Sequence, residues 1–287
     1  LGEREIPPDT LIMSATPIPR SLAMTLYGDL DLSLLDEMPK GRKPVKTLLR
    51  YPSKRAEVHH LVDEELEAGR QAYIVYPLVE ESDKMDLQSA TEEYERFSAE
   101  TFQHRRVGLI HGQRSSEEKD DVMRAFLAGD IDVLVATTVI EVGIDVPNAS
   151  VMVVEHAERF GLSQLHQLRG RVGRGAAKSY CILIAEPGEA AAERLNIFRD
   201  TSDGFALAHA DLRIRGQGDL FGAQQHGRDP VLRFADLTRD EGLLLEAQAR
   251  ARAMVKSDPE LSSDGVARIR ALMDHRYAER LKLFSVG

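Results

Sequence analysis

Two arginines three residues apart, Arg171 and Arg174, stand in the run Gln167-Leu168-Arg169-Gly170-Arg171-Val172-Gly173-Arg174-Gly175. The interleaved glycines remove side-chain bulk and let a ligand approach the backbone closely. A guanidinium stays charged when desolvated, and its planar fork matches the oxygens of a phosphate. Phosphoryl transfer is the chemistry such a pair serves, because arginine stabilises the charge that develops on a transferred γ-phosphoryl group and is often supplied from another domain. A basic surface loop without a ligand would use the same residue types. The wider pattern Gln-x-x-Gly-Arg-x-Gly-Arg favours the phosphate reading.

Other polar residues stand beyond apolar runs. The segment from Val133 to Ser150 begins as a buried strand and ends in Thr137 and Thr138, followed by Gly143 and Asp145. Hydroxyls and N–H groups beyond a strand's carboxyl end can hold a phosphate backbone, and Asp145 is expected beside the same edge. Local capping would account for these residues equally well. Ser14 and Thr16, in Met13-Ser14-Ala15-Thr16-Pro17, could bond across a domain cleft or simply cap a helix. His111 closes another strand with Arg114 nearby, which suits a packed histidine or a backbone-phosphate contact. The sequence has no Gly-x-x-x-x-Gly-Lys-Ser/Thr loop, no Asp-Glu-x-His or Asp-Glu-x-Asp run, and no histidine or cysteine at zinc spacing. On its own the chain is not expected to build a complete phosphate and metal cradle.

The elements that must position these residues alternate. Strands are expected at Leu11 to Ala15, Val45 to Tyr51, Ala72 to Tyr76, Val107 to Ile110, Val133 to Ala136, Val151 to Glu155 and Tyr180 to Ala185. They are short, rich in Val, Ile and Leu and mostly apolar throughout, the pattern of strands buried on both faces. Helices are expected from Lys54 to Ala68, with Ser53 as N-cap and Gly69 as stop, and from Glu117 to Leu127, with Ser115 and Glu118 as a capping box and Gly129 as stop. A further helical stretch, Ser163 to Leu168, leads into the arginines. This rhythm predicts an α/β fold, a parallel sheet wrapped by helices. After about Thr201 the rhythm gives way to a glycine-rich stretch and two helices, about Phe234 to Lys256 and Pro259 to Arg280, so a boundary is placed near Ser202.

The bulk properties agree. The chain has 287 residues, enough for two domains, with 43% apolar and 29% charged residues, few aromatics and no tryptophan, so a mainly aliphatic core is expected. No run approaches a membrane span and no secretory signal opens it. Cys181, the sole cysteine, reads as a buried strand residue in a reducing, cytoplasmic setting. The net charge of -10 argues against nucleic acid. Basic residues nonetheless concentrate between Lys40 and Lys46 and between Arg169 and Lys178, and a site depends on its local field. Because the chain opens on Leu1 just ahead of a strand, it is read as a piece of a longer protein.

Three segments resemble the later motifs of superfamily-two helicases: Ser14-Ala15-Thr16 motif III, Thr137 to Asp145 motif V, and Gln167 to Arg174 motif VI. Within that superfamily the runs Thr16-Pro17-Ile18-Pro19-Arg20, Tyr27-Gly28-Asp29-Leu30-Asp31 and Glu155 to Arg171 are similar to the RecG family of branched-DNA translocases. Asp203-Gly204-Phe205, Asp211 to Gly222 and Gln225-His226-Gly227 resemble the TRG (translocation) motif that RecG shares with Mfd. The family usually has proline where Gln217 stands and serine where His226 stands.

The resemblance implies a RecA-like second helicase lobe over 45–201, a first-lobe remnant and linker over 1–44, and a mostly helical translocation region over 202–287. It implies that Arg171 and Arg174 contact the γ-phosphate of ATP, whose Mg2+ is held elsewhere, and that Gln167, Gly143 and Asp145 line the same cleft. Thr137, Thr138, His111 and Arg114 would touch the DNA backbone. Ser14, Thr16, Arg215 and Gln225 would couple nucleotide state to movement. The implied whole protein translocates on double-stranded DNA and remodels stalled forks and Holliday junctions in repair and recombination, with a wedge domain and a first lobe outside this chain. Two alternatives remain: an Mfd-like transcription-repair coupling translocase, and a non-catalytic module that docks DNA or protein.

Overall fold

The computed structural model describes residues 43–77, 83–137, 145–215 and 240–284, together with Leu11, Met13, Ser33, Leu35 and Glu37. The strand expected at Leu11 to Ala15 lies outside the described stretches. Six strands form one sheet: β1 (Lys46–Arg50), β2 (Gln71–Val75), β3 (Val107–Ile110), β4 (Val133–Ala136), β5 (Ala149–Val154) and β6 (Tyr180–Ile184). The order is β1-β6-β5-β2-β4-β3, and every pairing is parallel.

Side chains alternate across this sheet, and each face carries its own helices. Tyr73, Val75, Leu134, Ala136, Met152, Val154, Cys181 and Leu183 point to one face. There they meet Met123 and Phe126 of α3 (Ser116–Ala128), Leu162, Leu165 and Leu168 of α4 (Leu162–Arg169), Leu195 and Phe198 of α5 (Glu189–Asp200), and Leu207 and Ala210 of α6 (Gly204–Arg215). Ala72, Ile74, Val133, Val135, Val151, Val153, Ile182 and Ile184 point to the other face. They are covered by Val58, Val62 and Leu66 of α1 (Arg55–Glu67), by Ala90 of α2 (Asp83–Arg96), and by Phe97 and Phe102 beyond it. Cys181 is fully buried, and burial pushes its thiol up to about 12, as expected of a packed strand residue.

The helix ends follow local chemistry. Ser115 caps α3: its hydroxyl accepts from the Glu118 N–H at 3.2 Å, and the Ser115 N–H donates to the Glu118 carboxylate at 2.9 Å. Gly129 ends this helix at φ 82°, a conformation glycine adopts without cost. The N-cap expected at Ser53 is absent. Pro52–Lys54 form a 3-10 turn, and α1 starts at Arg55 without a side-chain cap. Proline at the first position of that turn supplies the fixed φ that starts it one step early.

The compact unit holding the sheet includes α6, so the composition change near Ser202 falls inside packed structure. A second unit contains α7 (Glu241–Ser257) and α8 (Asp264–Phe284). The latter starts at Asp264 rather than Pro259. Leu261 turns left-handed at φ 51°, and the Asp258 carboxylate accepts from the Ser263 N–H at 2.8 Å, which breaks any earlier helix.

Candidate phosphate and nucleic-acid edges

All strands run the same way, so the sheet has one carboxyl end and one amino end, and the candidate residues divide between them. The arginine loop follows α4 to the amino end. Gly173 has φ 75°, and a Cβ there would lie 2.6 Å from the Val45 side chain just before β1. A Cβ on Gly175 would lie 2.5 Å from the Pro147 carbonyl oxygen just before β5. Both glycines are therefore required by close approach. They wedge the loop between the entries to β1 and β5, and Lys43 adds a bond from its ammonium to the Ala176 carbonyl at 2.6 Å.

This packing sets Arg174 beside Asp145. The Arg174 Nη1 lies 3.3 Å from the Asp145 Oδ1, and its Nε donates to the Gly170 carbonyl at 2.9 Å. Arg171 is half-buried on the same loop. Tyr73 is buried on β2 and stacked edge-on against Phe126 at 4.9 Å. Burial raises its phenol well above the ordinary value, and Arg171, Asp145 and Arg174 all act on it, the arginines lowering and the aspartate raising. Gln167 is half-buried on α4, one turn before the loop.

The carboxyl end carries the other group. The backbone ladder aligns it: Thr137 N–H donates to the Ile110 carbonyl at 3.2 Å, Tyr76 N–H to Ala136 at 2.8 Å, and Glu155 N–H to Val75 at 2.9 Å. Thr137 is fully buried, and its hydroxyl has no hydrogen-bond partner among the described residues. The same is true of the His111 Nδ1. Burial lowers the affinity of His111 for a proton, and Arg114 and Lys119 lower it further against an opposing push from Glu118. The Arg114 N–H closes the turn onto the His111 carbonyl at 3.2 Å.

Asp145 is not on the edge expected for it. It precedes β5, whereas Thr137 follows β4, and in a parallel sheet these are opposite ends, separated by roughly 13–20 Å of strand. Ser14, Thr16, Thr138, Gly143 and Gln225 lie outside the described residues, and Arg215 is the last residue of α6.

Two residues that sequence reasoning passed over hold this arrangement together. Glu155, fully buried beyond β5, accepts from Arg55 Nε at 3.0 Å and Nη2 at 2.8 Å. The partner carboxylate raises the Arg55 guanidinium. Arg169 is almost fully buried, and its Nη1 donates to the Phe198 and Thr201 carbonyls at 3.0 and 2.8 Å, at the end of α5. It stands in the buried row Leu162, Leu165, Arg169 at helical spacing, which is the signal that could have found it. Among the described residues no group of three His, Cys, Asp or Glu could hold a metal ion, and no helix is long and apolar enough to cross a membrane.

Residues 53–176 match the family model described as helicase conserved C-terminal domain, and residues 201–276 match that described as ATP-dependent DNA helicase RecG, domain 3, C-terminal. ATP-dependent DNA helicase RecG of Thermotoga maritima is 56% identical over 237 residues, covering 82% of this chain and 30% of that protein. The Bacillus subtilis protein of the same name is 50% identical over 253 residues, covering 88% of this chain and 37% of its own length. A solved structure of RecG bound to a three-way DNA junction matches with a TM-score of 0.66 and 53% identity, over 82% of this chain and 30% of that one. The chain thus spans about a third of the length of these relatives.

Proposed function

The chain belongs to the RecG helicase family, and from that premise we propose that it is the second motor lobe and translocation region of an ATP-driven double-stranded DNA translocase acting on forks and Holliday junctions. In this reading residues 1–44 complete a first lobe that lies outside the chain. The lobe 45–201 carries the arginine side of the ATP site, and 202–287 couple turnover to movement. The setting is the cytoplasm.

Arg171 and Arg174 stabilise the γ-phosphate of ATP held by the first lobe, with Gln167, Gly143 and Asp145 lining the cleft. ATP with Mg2+ supplies the phosphoryl group, and the metal's ligands belong to the first lobe. Ser14 and Thr16 link nucleotide state to DNA grip, and Arg215 and Gln225 extend that link to the translocation region. Thr137, Thr138, His111 and Arg114 hold the DNA backbone.

The observation that supports this reading most directly is a pair of buried polar atoms at one end of the sheet, Thr137 Oγ1 and His111 Nδ1, that have no partner among the described residues. Buried polar atoms ordinarily have partners, so two atoms without one among the described residues suit an edge that takes a ligand. The arginine loop faces the other end, which keeps phosphate chemistry apart from strand contact. The test is Arg171→Ala and Arg174→Ala in the full-length protein. Loss of DNA-stimulated ATP hydrolysis with forked-DNA binding retained is expected, and wild-type turnover in both variants overturns the assignment.

A further inference from the structure

We propose that Asp145 is a positioning residue for Arg174: its carboxylate holds the guanidinium at rest, and a polyphosphate releases the arginine by displacing it. The proposal rests on the phosphate-facing reading of Arg174 given above and names how that site is controlled.

Three observations carry it. The contact is direct, 3.3 Å between Arg174 Nη1 and Asp145 Oδ1. Its backbone frame is closely packed. Gly175, next to Arg174, is pressed onto the carbonyl of Pro147, two residues after Asp145, so the two loops touch where they carry the charges. The Arg174 Nε bond to Gly170 is a second hold on the same planar guanidinium, so the fork leaves Asp145 only by turning about that bond or breaking it. Finally, the pair is exchangeable. The two side chains are 33% and 50% exposed, so water reaches both and the pairing is weak. A terminal phosphate offers more negative charge and an oxygen spacing that matches the guanidinium fork, so it outcompetes a single carboxylate.

The experiment is calorimetric titration of the 287-residue chain with sodium tripolyphosphate, comparing wild type, Asp145→Asn, Arg174→Gln and the double variant. Asp145→Asn is expected to bind about two- to fivefold tighter, the range that exposed ion pairs reach. Arg174→Gln is expected to bind more weakly, and Asp145→Asn is expected to change nothing in the Arg174→Gln background. Equal or weaker binding by Asp145→Asn overturns the proposal. So does a gain that persists without Arg174, which is general charge repulsion and not release. If Arg174→Gln binds as tightly as wild type, the phosphate reading of Arg174 itself has failed, and the proposal falls with it.

Discussion

The Arg169 guanidinium lies 4.2 Å from the centre of the Phe198 ring while donating to the Phe198 and Thr201 carbonyls. The last carbonyls of a helix have no partner within it, and here a buried cation from α4 satisfies those of α5. Burial lowers the Arg169 guanidinium, yet an arginine remains charged under such conditions. Replacing Arg169 with Ala strands those carbonyls and opens a void. A loss of about 2–4 kcal/mol in urea unfolding is expected, with Lys recovering only part because an ammonium lacks the fork. A change within about 0.5 kcal/mol for Arg169→Ala is the size of an ordinary surface effect and would remove the capping role.

Arg55 and Glu155 are a hundred positions apart and form the bidentate pair beneath the carboxyl edge. Arg55→Ala leaves a fully buried carboxylate without its cation, which costs about 3–5 kcal/mol. Replacing both by apolar residues, Arg55→Met with Glu155→Leu, is expected to cost far less than Arg55→Ala alone. A double-mutant cycle by chemical denaturation measures the difference, and additive single losses would mean that the two side chains do not act as a pair.

His59 packs between Phe97 and Phe102, with ring centroids at 5.2 and 5.7 Å. Burial lowers it to about 4, with Glu155 pulling upward and Arg55 and Arg96 pushing down. The folded value lies below the unfolded one, so between about 6.5 and about 4 the unfolded chain binds more protons. Stability contributed by the neutral ring is complete above that window and declines as pH falls through it. Denaturation midpoints at pH 7 and pH 4.5 should therefore converge in His59→Phe relative to wild type. An unchanged acid shift in the variant would place the sensitivity elsewhere.

Gly173 and Gly175 obstruct substitution for different reasons. Alanine at Gly173 meets a side chain, Val45, and a left-handed φ of 75°; alanine at Gly175 meets the backbone oxygen of Pro147. Val45→Ala should thus recover part of the stability lost in Gly173→Ala, leaving the roughly 1–2 kcal/mol cost of the left-handed conformation. No trimming of a neighbour should rescue Gly175→Ala. Thermal melts of these variants test the distinction, and a tolerated Gly175→Ala would mean that the loop has room to move.

Most strands were legible because they are apolar on both faces, so that Val133 to Ala136 and Val107 to Ile110 have the bounds expected of them. The helix Asp83–Arg96 was not read. Its buried Ala90 and half-buried Tyr94, just ahead of the buried Phe97, are hidden among Glu92, Glu93 and Glu95. The arginine loop was legible because glycine spacing is local information. Glu155 with Arg55, and Arg169 with the end of α5, were not, since a long-range partner leaves no mark on neighbouring residues. Asp145 was assigned to the wrong end because sequence proximity to Thr137 hides the reversal between the exit of one parallel strand and the entry of the next.

Thr137 offers the sharpest separation of stability from function. Its hydroxyl is buried without a partner among the described residues, so its burial carries a desolvation cost that none of them offsets. Thr137→Val keeps the shape and removes that burden. It should leave the chain as stable as wild type or up to about 1–3 kcal/mol more stable, the cost a buried unpaired hydroxyl carries on mutational scales. If the hydroxyl bonds a DNA phosphate, the same variant in the full-length protein should bind a forked duplex more weakly, by the roughly 0.5–1.5 kcal/mol of one neutral hydrogen bond. The salt dependence should stay unchanged, because no counterion-releasing cation is lost. Fluorescence anisotropy across a salt series reads both quantities. A stability loss with unchanged DNA affinity would make Thr137 a packing residue and withdraw it from the nucleic-acid edge.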